Sequence, residues 1–328
     1  MLKKILSNIK MKKIIIINTY TYCGGPLVLS ELCRCLTKLG YDARLFLLHS
    51  FPTSEKDLLI FSKREHFIVN IKLAIAIFLN RLFPTLGFNK KFFPEYFRAP
   101  HLKGCKLQIS PFFSNKKTIV LYPEIVYGNP LKAKNVVRWL LYFNRYPQEK
   151  SAYNKKDLFI CFRDIFNDYT LNPSARKVKI NYFDNNLYKQ SNFSKRAGNC
   201  YFIRKGRNRK DLPSNFDGPI LDDLSEEEKV KILNECEFCY SYDTQTFYSS
   251  IAAICGCKSI VVPEPGKNKK DYRRADENTY GVAFGDSIEE INWAESTKKD
   301  LINSLNYEES NKKNALLFIT YINDYFGK

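Results

Sequence analysis

Short apolar runs of strand length alternate along this chain with stretches in which apolar residues recur every three or four positions, the pattern of an α/β protein. Lys12 to Asn18, KKIIIIN, is a buried-strand run. In the TYTYCGGPLVLSELCRCLTKLGYDARLFLL that follows, Gly24 and Gly25 end a strand-to-helix loop. Leu27, Leu29, Leu32, Cys33, Leu36 and Leu39 then form a helical face. Gly40 stops that helix, and Ala43 to Leu48 supply a second strand. This β-α-β opening has no GxGxxG and no acidic residue suitably placed after its second strand, which argues against a dinucleotide. Its paired glycines instead let a ligand approach the backbone closely.

Residues 62 to 104 are basic and aromatic. Phe67 to Phe83 has a helical apolar pattern broken by Asn70, Lys72, Asn80 and Arg81, and Pro84 ends it. Two readings fit: a face that lies on a membrane surface, or a core helix with a solvated basic edge. Lys117 to Tyr122, KTIVLY, is another strand, with Glu124 at its carboxyl end, where ligands of open α/β sheets bind. Lys132 to Phe143 is expected to be a helix that carries Arg138 either toward a ligand or outward as a snorkelling cation. Leu158 to Phe162 and Val178 to Tyr182 are the strands expected to finish a first domain, and Asp164 is a second carboxylate at a strand end.

From Asn199 the pattern restarts: CYFIRKGRNRKDLP is a strand that ends in Arg204, Lys205, Arg207, Arg209 and Lys210. Such a cluster either neutralises a diphosphate or is a solvated loop. SEEEKVKILNECE follows as an acidic helix, with Ser225 and Glu228 placed for a capping box. Tyr240 to Pro263, YSYDTQTFYSSIAAICGCKSIVVP, then reads strand, loop, helix, Gly stop, strand. Thr244 or Thr246 can cap the helix, and Asp243 lies at the strand's carboxyl end. This loop is either a diphosphate and sugar cradle or an ordinary capped turn. After it, DENTYGVAFGDSIEEINWA gives a short strand, a Gly turn and a helix, and NKKNALLFITYINDYF is a terminal amphipathic helix.

At 328 residues the chain exceeds one comfortable core, so two α/β domains are expected. Hydrophobic residues at 45% and aromatics at 15% exclude a disordered chain. Fifty-two Lys+Arg against 34 Asp+Glu leave +18, which points to an anionic partner: nucleic acid, anionic lipid or a phosphorylated small molecule. An AT-rich coding bias is the plainer source of part of that excess. Ten cysteines, several within apolar runs, read as reduced cytosolic thiols. Only Cys236/Cys239 is CxxC, with no second pair or nearby His, so no metal site is expected. No apolar run reaches the roughly 18–20 residues that span a bilayer, and the run after Met11 is too short for a signal peptide. A cytoplasmic protein is expected, with Met11 as a natural start and residues 1–11 as a basic extension.

Three stretches in this order resemble the GT-B glycosyltransferases, above all bacterial enzymes of lipopolysaccharide and capsule synthesis: GGPLVLSELCRCLTKLGYDARLF, YDTQTFYSSIAAICGCKSIVVP and ENTYGVAFGDSIEEI. PEIVYGNPLKAKNVVRWLL is similar to a segment of some of these transferases. The resemblance implies two Rossmann-like domains facing a central cleft: an acceptor domain over 12–195, a donor domain over 196–308, and a last helix, 309–328, returning to the first. It implies a nucleotide-sugar as donor substrate, no cofactor, and a glycan or lipid-linked acceptor, with an anionic membrane surface at the inner face of the plasma membrane as a further partner. Donor contacts fall on Gly24, Gly25, Arg204, Lys205, Asp243, Thr244, Gln245, Thr246 and Phe247. Asp243 stands where the family has its first Glu. The second family Glu, which holds the ribose, falls on Ile251, and Glu264 is an alternative polar contact.

In such a transfer the nucleotide diphosphate leaves as charge develops on its oxygens, and cations with N–H dipoles stabilise it. Neither LDD at 221–223 nor NDY at 167–169 has the strand-loop setting of a DxD metal motif, so a metal-independent reaction is expected. If the anomeric centre inverts, Glu124 is the first candidate base and Asp164 the second. The competing expectations are a sugar-nucleotide epimerase or phosphoryl-group transferase of the same fold, and a basic nucleic-acid-binding protein. The last is disfavoured because the charges are dispersed and no nucleic-acid-binding motif is present.

Overall fold

The computed structural model describes residues 13–21, 23–97, 99–114, 118–149, 151–244, 246–272 and 279–327. The expected extension at 1–11, and Gln245, lie outside the described residues. The chain divides into two compact units, Met1–Tyr182 with Tyr307–Lys328, and Phe183–Asn306. Each is a Rossmann-like α/β layer.

The first unit is a five-stranded parallel sheet in the order β2-β1-β3-β4-β5. Its strands are β1 Lys13–Asn18, β2 Ala43–Leu47, β3 Thr118–Pro123, β4 Asn135–Leu140 and β5 Leu158–Cys161. Helix α1, Gly24–Lys38, packs on β1 and β2, and the terminal helix, Glu308–Phe326, packs on α1. Both sheet faces are covered, which is why β1 reads as an unbroken isoleucine run. Ile14 and Ile16 enter the core beneath α1, and Ile15 and Ile17 the core on the other face.

Coverage on both faces also explains the element that departs from expectation. Lys132 to Phe143 is not a helix; its centre is β4, buried from Val136 to Leu140. A strand apolar on both sides has no alternation to separate it from a buried helix. Arg138 therefore neither faces a ligand nor snorkels. Its side chain is 1% exposed and ion-pairs with Asp157 through Nε at 2.9 Å. Nη1 and Nη2 donate to the carbonyls of Val126 and Gly128 at 3.0 and 2.5 Å. The guanidinium lies over Tyr122 and Tyr153, so this cation braces the loop after β3.

Val178 to Tyr182 is likewise not a full strand. One parallel bridge, Cys161 to Lys177, tethers its start. Beyond it the backbone is satisfied by side chains of the terminal helix: Asn311 Oδ1 accepts from Asn181 N–H at 2.9 Å and Asn314 Oδ1 from Lys179 N–H at 3.1 Å. The second compact unit begins at Phe183, before the boundary at 196 that the resemblance implied, and Phe183, Leu187 and Tyr188 pack into its core.

Helix α2, Lys63–Leu82, buries His66, Asn70, Leu73 and Ala76. Its outer side is apolar as well as basic: Ile68, Ile75, Phe78 and Leu82 are exposed, and Phe83, Leu86 and Phe92 continue the patch. A groove of about 500 Å³ runs beside it, lined by Ile75, Leu79, Phe88 and Phe92 with Lys72 and Lys91.

The second unit is a four-stranded parallel sheet in the order β6-β7-β8-β9: Asn199–Phe202, Phe238–Ser241, Lys258–Val261 and Val282–Phe284. Helix α3, Glu226–Glu235, carries the expected capping box of Ser225 and Glu228. Helix α4, Tyr248–Ile254, joins β7 to β8, and α5, Ile288–Ser296, follows β9.

Candidate functional site

The stretch around Ile220 adds to the free edge of β6 through a parallel bridge to Tyr201, whereas β7 lies on the other edge. The connections leaving β6 and β7 thus diverge in opposite directions, and a crevice opens between their carboxyl ends. A pocket of about 180 Å³ occupies this position. Lys205, Gly206 and Arg209 line it from the loop after β6, Tyr242, Asp243 and Thr244 from the loop after β7, and Glu264 from beyond β8. Its volume falls below the roughly 300–1,000 Å³ that encloses a whole drug-sized ligand, and suits one charged group of a larger molecule.

Asp222 sets the shape of the first loop. Its buried carboxylate accepts Ile203 N–H at 3.1 Å and Arg204 N–H at 2.7 Å, one on each oxygen. Arg204 is held at a φ of 41°, in the left-handed region that costs a non-glycine residue about 1–3 kcal/mol. The turn carries its guanidinium over the Tyr248 ring and brings Nε to 3.9 Å from the Asp243 carboxylate. Tyr248 is fixed in turn by a 2.6 Å bond to Glu226, which also takes Lys229 at 2.8 Å. Gly206 lets the loop sit directly on its neighbour: a Cβ there would lie 2.4 Å from the Tyr242 carbonyl oxygen.

The basic cluster separates into two kinds of residue. Arg209 is a strut whose Nη1 and Nη2 donate to the carbonyls of Val262 and Pro263 at 2.7 and 2.8 Å, with Asp211 gripping the guanidinium. Arg207 faces Asp222 and Asp223. Arg204 and Lys205 are exposed: Lys205 lines the pocket, and Arg204 Nε stands 3.9 Å from the Asp243 carboxylate.

Asp243 is 4% exposed, and its carbonyl accepts the Ser241 hydroxyl at 2.9 Å. The helix beyond starts later than expected, with Phe247 at its N-cap and no side-chain cap bond. Thr246 assists from one position earlier, its Oγ1 accepting Tyr248 N–H at 3.3 Å. Phe247 itself is exposed and meets the Phe183 ring edge-on. Glu264 ion-pairs with Lys267.

The remaining expected residues belong to the first unit. Gly24 and Gly25 are the opening residues of α1 and not part of the preceding loop; a Cβ at Gly24 would meet open space. Glu124 lies at the carboxyl end of β3 beside the β1/β3 switch point, with Oε2 accepting Leu141 N–H at 3.0 Å. Burial raises its carboxyl above the 4.5 usual for Glu, against the backbone N–H bonds it receives. Asp164 sits on an exposed turn and pairs with Lys177 at 2.6 Å. Among the described residues, no group of three or more His, Cys, Asp or Glu is arranged to hold a metal ion.

No protein-family model matches the chain, and no curated protein matches it. Three solved structures are similar to it at low scores. MurG of Acinetobacter baumannii is 10% identical over 93% of this chain and 94% of that one, with a TM-score of 0.30. The spinosyn rhamnosyltransferase SpnG, complexed with thymidine diphosphate, is 11% identical over 96% of each chain, at 0.28. The glycosyltransferase SnogD of Streptomyces nogalater is 8% identical over 97% and 95%, at 0.26. Likeness at this level carries no functional inference for this chain.

Gly206, Asp222 and Tyr242 are the site residues that sequence reasoning missed. The lone glycine within RKGRNRK was the available signal for the first, whereas nothing local to LDD links Asp222 to Arg204. Gly206→Ala forces a backbone shift between the two loops and is expected to cost about 1–3 kcal/mol, read as a lowered midpoint in urea unfolding. An unchanged midpoint would show that the loops do not pack as described.

Proposed function

We propose that this chain is a GT-B-type glycosyltransferase that moves a sugar from a nucleotide-sugar to a surface-glycan acceptor without a metal. The observation that carries this reading is the pocket at the β6/β7 switch, lined by Lys205, Arg209 and the buried Asp243, with Arg204 Nε 3.9 Å from the Asp243 carboxylate. A diphosphate requires fixed cations, and a sugar requires a rigid acceptor for its hydroxyls; Asp243 beside Arg204 supplies both within one small volume. The strained backbone at Arg204 fits a cation held in place before the ligand arrives. Glu124 is the base in an inverting transfer, taking the acceptor hydroxyl's proton, and the ion pair of Asp164 with Lys177 makes that residue the weaker choice.

The apolar face of α2 favours a membrane-borne acceptor. Residues 62–104 carry eight Lys or Arg against two Glu, among them Lys72 and Lys91 in the apolar groove. No helix among the described residues is long and apolar enough to cross a membrane. Exposed aromatics beside lysines instead suit the interface of an anionic bilayer.

Thermal unfolding against UDP, GDP, CMP, dTDP, their sugar conjugates and a short RNA tests the donor site. One nucleotide family at a hundred times its Kd is expected to stabilise the chain by about 2.7 kcal/mol. Arg204→Ala with Lys205→Ala is expected to weaken that nucleotide roughly 10- to 100-fold. Stabilisation by RNA alone would instead favour a nucleic-acid-binding protein.

Because only the deprotonated Glu124 accepts a proton, turnover should fall as pH drops through its raised pKa. Glu124→Gln should remove that acid limb and lower kcat by about 10²- to 10⁴-fold while nucleotide binding holds. An unaltered pH profile would remove Glu124 from the chemistry.

Sedimentation with vesicles containing phosphatidylglycerol should carry the protein down at low salt and release it at high salt. Recovery in the supernatant at every salt concentration would return α2 to a purely structural role.

A further inference from the structure

Tyr142 and Phe143 follow β4 after one intervening residue, Leu141, and Phe166 ends the turn Asp164–Phe166 after β5, so all three lie at the carboxyl end of the first sheet, where open α/β sheets bind ligands. Their rings meet one another. Tyr142 and Phe143 are 4.9 Å apart at 78°, Tyr142 and Phe166 5.0 Å at 53°, and Phe143 and Phe166 5.1 Å at 75°. Edge-to-face and tilted contacts of this kind fix the rings against one another. Tyr142 is 61% and Phe143 48% exposed, with Ile165 beside them at 50%. Among the described residues, the three rings join none of the core clusters.

The surrounding loop is held rigid by polar bonds. Asn144 donates to Asp168 at 2.7 Å and accepts from Tyr146 N–H at 3.0 Å and the Tyr153 hydroxyl at 3.1 Å. Glu124 Oε2 accepts the N–H of Leu141, the residue immediately before Tyr142, so the buried carboxylate lies at the backbone that carries two of the rings. Exposed aromatic rings near a carboxylate suit a ligand with one apolar C–H face and a rim of hydroxyl donors.

We propose that Tyr142, Phe143 and Phe166 form a carbohydrate platform on the first unit, on which the C–H face of a pyranose ring stacks with its hydroxyls on the Glu124 side. Pyranose C–H bonds carry partial positive charge toward the negative ring faces, and stacking removes apolar surface from water. Preorganised rings lose little freedom on binding. That this sugar is the acceptor rests on the glycosyltransferase reading above; the platform itself rests on the rings.

Saturation-transfer difference NMR on the full chain tests it, with methyl β-galactopyranoside, methyl β-glucopyranoside and methyl α-mannopyranoside as probes and UDP, GDP, CMP and dTDP in parallel samples. Saturation should reach the C–H protons of one pyranose face. It should fall about tenfold in Tyr142→Ala with Phe143→Ala and persist in Tyr142→Phe, which keeps the ring. Absence of transfer to all three glycosides, or equal transfer in the double alanine variant, would overturn the platform whatever the nucleotides do. Ring-dependent transfer to a glycoside without transfer to any nucleotide would sustain the platform and count against the donor reading.

Discussion

Asp222 holds the N–H groups of Ile203 and Arg204 on its two carboxylate oxygens, and the second unit's pocket is built outward from that contact. The bonds keep a non-glycine residue in a left-handed conformation that would otherwise relax. From there Arg204 spans the gap to Asp243 and rests on Tyr248, whose hydroxyl is tied to Glu226 at the start of α3. A strand end, two loops and two helix starts are thereby locked into one geometry by a carboxylate that need not touch a ligand.

The chain's large positive charge is put to two different uses. Arg138 and Arg209 are interior struts: each satisfies several backbone carbonyls and pairs with a single aspartate, as planar guanidinium groups do well and ammonium groups do not. Removing Arg138 would leave the buried Asp157 carboxylate unpaired. Arg204 and Lys205 near the pocket, and Lys72 on α2, remain exposed to a partner. Net charge thus overstates how much of the molecule is available to an anion.

The first unit gathers its unusual features at one sheet edge. Glu124, bonded by backbone N–H groups and raised by burial, sits at the backbone before an aromatic cluster that joins none of the core clusters among the described residues. A protein selected only for stability would turn such rings inward, since each buries a large apolar area. Their position where parallel strands end, and not on an arbitrary surface, gives them a functional reading.

Periodicity and composition alone determined the α/β class, the presence of two units, both opening β-α-β segments, the capping box at Ser225, the basic cluster from Arg204 to Lys210 and the place of Asp243 at a strand end. These depend on local spacing, and local spacing is written in the chain. Tertiary structure decided that 135–140 is a strand, because burial on both faces erases the alternation that would reveal it. It also decided that Arg138 and Arg209 face inward, that side chains of the terminal helix satisfy 178–182, and that Asp222 governs Arg204 from eighteen residues away. Such outcomes turn on which groups meet after the sheets assemble, and no window of sequence contains both partners.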